Sequence, residues 1–262
     1  MRIRAVYAVS RAAALVLAAV TAVAVSACGG GADGGPGGAG FFRQYEYEEE
    51  VYLSLDGSAT VYVHTSLAAL NALRGTSYAT APNAPLDRDA VKAFFSTPVT
   101  HVNGQISASR RSNRRFIHVK LDINDIRQLD EAAPFAWSKY EFARDGDLYV
   151  FKQRLGSAAG KDVGDVGWTG REIVGFRLHL PSKIEYHNTR REVGRGNILT
   201  WEQPLTERLR GTALLLDARM AQQSILYRTL WLFGWTFMAV VITFCVVIWW
   251  VRRQAPAEKR AA

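Results

Sequence analysis

The run from Leu230 to Val251, LWLFGWTFMAVVITFCVVIWWV, constrains this chain more than any other segment, because its 22 residues carry no charge. A helix of that length rises about 33 Å, enough to cross a hydrocarbon core of roughly 30 Å. Trp231 and Trp235 stand at one end and Trp249 and Trp250 at the other, where aromatic side chains settle at membrane–water interfaces. Arg252 and Arg253 follow directly, with Lys259 and Arg260 close behind, whereas only Arg228 precedes within a few residues. The run is therefore expected to be a transmembrane helix over 230–251, with the basic tail 252–262 in the cytoplasm and the preceding domain outside it.

The opposite end carries a second membrane signal. Residues 1–11 hold three arginines and no acid, and Ala12 to Ala27 is an apolar run of Ala, Val and Leu with little else. Sixteen residues rise only about 24 Å as a helix, so this segment is a secretory signal peptide over 1–27 rather than a span. It ends in Val25-Ser26-Ala27-Cys28, which resembles the lipobox of bacterial lipoproteins, in which the cysteine is acylated and becomes the mature N-terminus. A plain secretory cleavage after Ala27 is the other reading. The Gly-rich residues 28–40 suit a flexible tether under both.

A net charge of +8 invites a nucleic-acid reading until the charges are located. Eight basic residues lie in the two terminal segments, and setting them aside with Asp33 and Glu258 leaves 24 basic against 22 acidic residues in 41–224. A surface that balanced has little attraction for a phosphate backbone, so no nucleic acid is expected as a partner. The two cysteines, Cys28 and Cys245, lie outside 41–224, so the ectodomain has no disulfide and must stabilise itself through its core.

Within 41–224, period-two alternation around Asp56-Gly57 predicts an opening β-hairpin. Leu67 to Leu73 and Asp87 to Phe95 read as two short helices, the second capped by Asp87. Gln105 to Arg110 pairs with Arg115 to Ile123, and Trp137 to Ala143 with Leu148 to Leu155. Strands follow at Ile173 to Leu180, Ile198 to Trp201 and Thr212 to Ala218. The expected class is α+β: a mostly antiparallel sheet with two short helices, plus one C-terminal transmembrane helix. Residues 156–170, rich in glycine with Trp168 among them, form a long aperiodic loop whose plainest reading is a mobile surface connection.

Motifs that carry chemistry are scarce. Gly156 to Asp162 lacks the spacing and the Ser/Thr of a phosphate-binding loop, so no nucleotide is expected. His64, His101, His118, His179 and His187 have no zinc-helix spacing and no cysteine partners, and read as single surface or sheet histidines. Glu48, Glu49 and Glu50 alternate faces of one strand and suit a solvated or edge-protecting strand. No catalytic residue, metal ligand or cofactor is implied, and the chain is not expected to be an enzyme. One candidate is the arginine-rich hairpin tip, Arg110, Arg111, Arg114 and Arg115, either a solvated turn or a contact for anionic lipid headgroups.

The other candidate is the segment 178–201, LHLPSKIEYHNTRREVGRGNILTW: a strand ending at Pro181, a polar excursion with Asn188, and a Gly196-Asn197 strand closed by Trp201. Together with the lipobox and the single span, it resembles the LppM-domain family of bacterial envelope lipoproteins. The sequence departs from that pattern in its longer excursion, His187 to Arg195, and in its glycine loop. The resemblance implies a doubly tethered α+β domain with affinity for lipid or another apolar ligand and no catalytic residues. The expected partners are membrane lipid or another envelope membrane protein.

Overall fold

The computed structural model describes residues 44–254, so the expected signal peptide, Cys28, the expected tether and the tail beyond 254 lie outside the described residues. The class is α+β, as expected, but the strands divide between two sheets. The larger sheet runs β10(Ile198–Pro204), β8(Ile173–His179), β1(Tyr45–Leu53), β2(Ala59–Ser66), β5(Arg114–Ile123), with β3(Thr100–Val102) and β4(Ser107–Arg111) sharing the far edge of β5. The smaller runs β6(Ser138–Asp145), β7(Leu148–Leu155), β11(Leu214–Ser224), β9(Ser182–His187). Pairing is antiparallel except between β1 and β8.

Alternation places Tyr47, Glu49, Val51 and Leu53 of β1 inward and Glu48, Glu50 and Tyr52 outward. Since β1 is a central strand, the three consecutive glutamates do not protect an edge. The inner face is covered by the smaller sheet, by α1(Leu67–Arg74) and by α2(Arg88–Phe95), around a core that includes Val61, Val63, Ile117, Val119, Phe135 and Phe176. Helix α1 is buried along almost its whole circumference. Ser66 caps its first turn, and its one interior polar residue, Asn71, is satisfied by Thr76 and by both backbone groups of Tyr78. Helix α2 is amphipathic instead, with Asp87 as its cap and Val91 and Phe95 inward.

Four elements are not evident in the sequence: β3, the 3-10 helix Ile126–Glu131, the five-residue helix α3(Leu205–Leu209), and β9, which occupies what reads as a polar excursion. Strand β9 exists because the chain changes sheets repeatedly. It leaves the larger sheet after β8, enters the smaller one within two residues at Leu180-Pro181, returns for β10 and crosses again for β11. Strand β11 runs directly into α4(Ile225–Gln254), which has the length and composition to cross a membrane and whose apolar side chains point outward all around.

The two sheets meet at Glu49. Its carboxylate is buried and accepts from Tyr47 at 3.0 Å, Tyr140 at 3.0 Å and Gln153 at 3.0 Å, so β1 is linked to both β6 and β7. Burial raises the Glu49 pKa, opposed chiefly by the nearby Arg74 charge. A carboxyl whose folded pKa is raised stabilises the fold fully at low pH, and that contribution is lost as pH rises through the folded value. Glu49→Gln, which mimics the protonated form, should therefore gain stability relative to wild type on going from about pH 4.5 to neutrality. Urea midpoints at the two pH values measure it; a constant difference between the two proteins refutes the assignment.

Candidate functional site

The outer face of the larger sheet gathers ionisable and aromatic side chains. Register sets them in rows across the strands: Glu48, His64 and His118 in one, and His179, Tyr52, Thr60 and Asp122 in another. The histidines that read as isolated in the sequence thus meet, because β1, β2 and β5 bring residues 54 positions apart into direct cross-strand contact. His64 and His118 face each other with Nδ1 atoms 2.7 Å apart, and His118 Nε2 is 2.8 Å from Ser109 Oγ. That geometry needs one ring to donate and the other to accept. Burial lowers both pKa values, aided at His118 by the His64 and Arg111 charges; at His64, Glu50 opposes the shift and Arg177 adds to it.

In the neighbouring rows, His179 Nε2 and Glu50 lie 2.5 Å apart, Tyr52 donates to the same carboxylate at 3.1 Å, and the Tyr52 and His179 rings stack at 3.8 Å. The hydrogen bond from His179 holds the Glu50 carboxyl below its usual range. Arg177 pairs with Glu48 at 2.8 Å, and Arg191 with Glu202 at 2.6 Å. Gly175 makes this face possible, because a Cβ there would sit 2.9 Å from the Tyr45 ring that lies across it. Among the described residues no three His, Cys, Asp or Glu side chains are placed to hold a metal. The rings and paired charges are suited to binding a polar ligand.

At one end this face opens into a groove of about 570 Å³, lined by Tyr52, Thr60, Asp122, His179, Pro181 and Gly196 among others. The groove adjoins the start of α4. The Pro181 carbonyl accepts from Ile225 N at 3.1 Å and Ser224 Oγ at 3.3 Å.

The segment that carries the LppM resemblance sits at this sheet crossing and acts structurally. Asn188 Oδ1 accepts from Trp201 Nε1 at 2.8 Å and Asp217 N at 3.0 Å, while its Nδ2 donates to Leu215 O at 2.9 Å. One side chain therefore ties the end of β9 to β10 and β11. Gly196 and Asn197 both take positive φ, 84° and 59°, and Asn197 Nδ2 donates to Ser182 O at 2.9 Å. Pro181, Asn188, Gly196, Asn197 and Trp201 are brought together at the crossing, where Pro181 and Gly196 also line the groove.

The arginine tip differs from its expectation in two ways. Arg110 and Arg111 are both exposed, but Arg111 is engaged over the Phe116 ring and with the Tyr45 carbonyl, and Arg115 donates to Pro82 O at 3.1 Å. Arg114 is buried against Glu46 at 2.7 Å, with both side chains nearly inaccessible. The four therefore do not form one headgroup-contact patch: Arg114 shares the β5 parity of His118 and Asp122, but Glu46 and the carbonyls of Val166 and Gly167 enclose its guanidinium. The tip is also far from the groove, since Arg114 is eight residues along β5 from Asp122, about 26 Å at strand rise.

Arg114 also organises the glycine-rich loop. It donates to Val166 O at 3.2 Å and Gly167 O at 2.9 Å, while Ala159 N and Lys161 N donate to the carbonyls of Leu73 and Ala72 at the end of α1. Asp162 and Asp165 each accept from the glycine two residues on, repeating one turn. The segment is a strap fastened across the domain rather than a free connection.

No family model matches the chain, and no curated protein matches it. Among solved structures it is similar to the NMR structure of the folded domain of Mycobacterium tuberculosis LppM, with a TM-score of 0.39 and 12% identity over 71% of this chain and 95% of that one. A likeness that loose transfers no residue roles.

Two outcomes test this geometry. The His64 and His118 rings should titrate by NMR below about 6.5, and His64→Asn, which removes one of the charges that lower His118, should move His118 toward that value. Titration of both rings at or above it in wild type refutes the paired arrangement. Glu46→Ala should cost about 3–5 kcal/mol by leaving Arg114 buried without its partner, and should open the 156–170 strap to proteolysis. A strap cut no faster than in wild type removes its assigned fastening.

Proposed function

We propose that residues 41–224 form a non-catalytic recognition domain of the bacterial envelope, held at the membrane by α4 and by an acylated Cys28, and that it binds a lipid headgroup or another polar envelope component. The observation that carries this reading is the position of the Tyr52–His179 groove beside the first residue of α4, through Pro181. If α4 crosses the bilayer, a ligand in that groove lies at the level of the headgroups. The stacked Tyr52 and His179 rings, held in place by Glu50, and the Thr60 and Asp122 side chains then supply both an apolar surface and polar contacts. This moves the expected lipid contact from the Arg110 to Arg115 tip to the opposite end of β5.

A second reading, a docking subunit of an envelope membrane-protein complex, is favoured by one feature of α4. Gly234 leaves an apolar notch of about 370 Å³ between Tyr227, Leu230, Trp231, Trp235 and Met238, a shape suited to a side chain of another membrane helix.

Full-length protein in neutral detergent, titrated with a monomeric short-chain phospholipid, separates the two readings. The first expects the His179 ring resonances to shift on binding and Tyr52→Ala/His179→Ala to weaken binding about tenfold or more, equivalent to about 1.4 kcal/mol, with the circular dichroism unchanged. Absence of binding by wild type overturns it. Co-purification of one membrane protein, lost in Gly234→Leu, supports the second.

A further inference from the structure

The far end of the domain holds an unusual concentration of buried positive charge. Arg208 of α3 is 0% exposed. Its Nη2 donates to the Gly156 carbonyl at 2.5 Å, but its Nε and Nη1 have no acceptor. Arg74, at the end of α1, lies with Cζ 3.2 Å from the centre of the Trp137 ring, and Arg208 Cζ lies 5.5 Å from the same centre. Arg74 Nη2 donates to Tyr47 at 2.8 Å, but its Nη1 lacks an acceptor, as does the Trp137 indole Nε1. Four donor atoms on three residues are thus gathered around one indole without partners.

The charges around them do not balance. Neither Arg74 nor Arg208 makes an ion pair among the described residues. Glu49 offsets part of the Arg74 charge, directly and through Tyr47, whereas the charge acting most on Arg208 is Arg74 itself. Burying one guanidinium without an acceptor is unfavourable, and placing a second beside it adds like-charge repulsion. An anion answers both. At the end of the β6–β7 pair, Gly156 N donates to Trp137 O at 2.6 Å, and a surface cleft of about 390 Å³ beside them is lined by Trp137, Ser138, Lys139, Arg154, Gly156 and Ser157, among others. Lys139 and Arg154 add positive charge to its rim.

We propose that Arg208, Arg74 and the Trp137 indole form a binding site for a small oxyanion, a phosphate or a carboxylate, entered through the cleft at Gly156. Guanidinium groups present planar paired donors that match either oxyanion, and the indole N–H adds a third donor direction. The site stands apart from the groove: Leu155, just before Gly156, pairs with Leu214 at the start of β11, whereas α4 follows the end of that strand. Its ligand therefore arrives from solvent, and this inference does not depend on the proposed function.

The test uses the full-length protein in detergent, with inorganic phosphate or acetate exchanged for chloride at constant ionic strength. At least one of them should raise the melting temperature in a saturable manner and shift the Trp137 indole N–H resonance, assigned with Trp137→Phe. Arg208→Met, which keeps length and removes charge, should abolish both responses. If that variant does not fold, the indole shift in wild type and its loss in Arg74→Met decide the matter. Absence of either response in wild type, or an undiminished response in a folded variant, overturns the proposal. Binding by a soluble short-chain phosphatidate but not by phosphate or acetate also overturns it, since the ligand is then a lipid.

Discussion

The Glu49 carboxylate, buried where the two sheets meet, is the constraint on which the rest of the domain depends. Packed apolar faces tolerate a shift of register or angle, whereas a buried carboxylate accepting from Tyr47, Tyr140 and Gln153 does not, because any displacement strands a polar group. The network extends through Tyr47 to Arg74 and the Trp137 ring. It therefore fixes how β1 lies against β6 and β7, and with it the end of α1. Specificity of this kind costs stability, as the upward shift of the Glu49 pKa records.

With the sheets aligned by that contact, the chain's repeated crossing between them decides where functional surfaces fall. Pro181 ends the passage from β8 to β9, Asn188 ties β9 to β10 and β11, and β11 passes without a break into α4. The groove, the crossing and the apolar helix thus share one end of the domain. The arginine hairpin, the buried arginine pair and the start of β1 occupy the other. Strands about eight residues long separate the two ends by more than a lipid headgroup can bridge.

Much of the architecture was legible in the residues. The hairpin around Asp56-Gly57, the Asp87-capped helix, the hairpin around Asp145-Gly146 and the long apolar helix all rest on signals local to a few neighbouring residues. Strand β9 was not legible, because SKIEYH buries only its first residue fully and so lacks the alternation that marks a strand. The division into two sheets was hidden for a related reason, since both sheets draw on strands with the same alternating pattern. Arg114 looked like one of four equivalent arginines, and only its pairing with Glu46, 68 residues away, turns it into an interior residue.

By itself, then, the sequence determined the class of the domain, its short helices and hairpins, the near-neutral charge of 41–224 and a helix able to cross a membrane. Each follows from composition or from periodicity over a few turns or strands. Tertiary structure alone decided that His64 meets His118, that Tyr52 stacks on His179, that Glu49 joins two sheets, and that Arg74 and Arg208 converge on Trp137. The physical reason is that these contacts are made across strand register and between sheets. Register and sheet packing are set by the whole set of buried side chains at once, and no local run of residues encodes them.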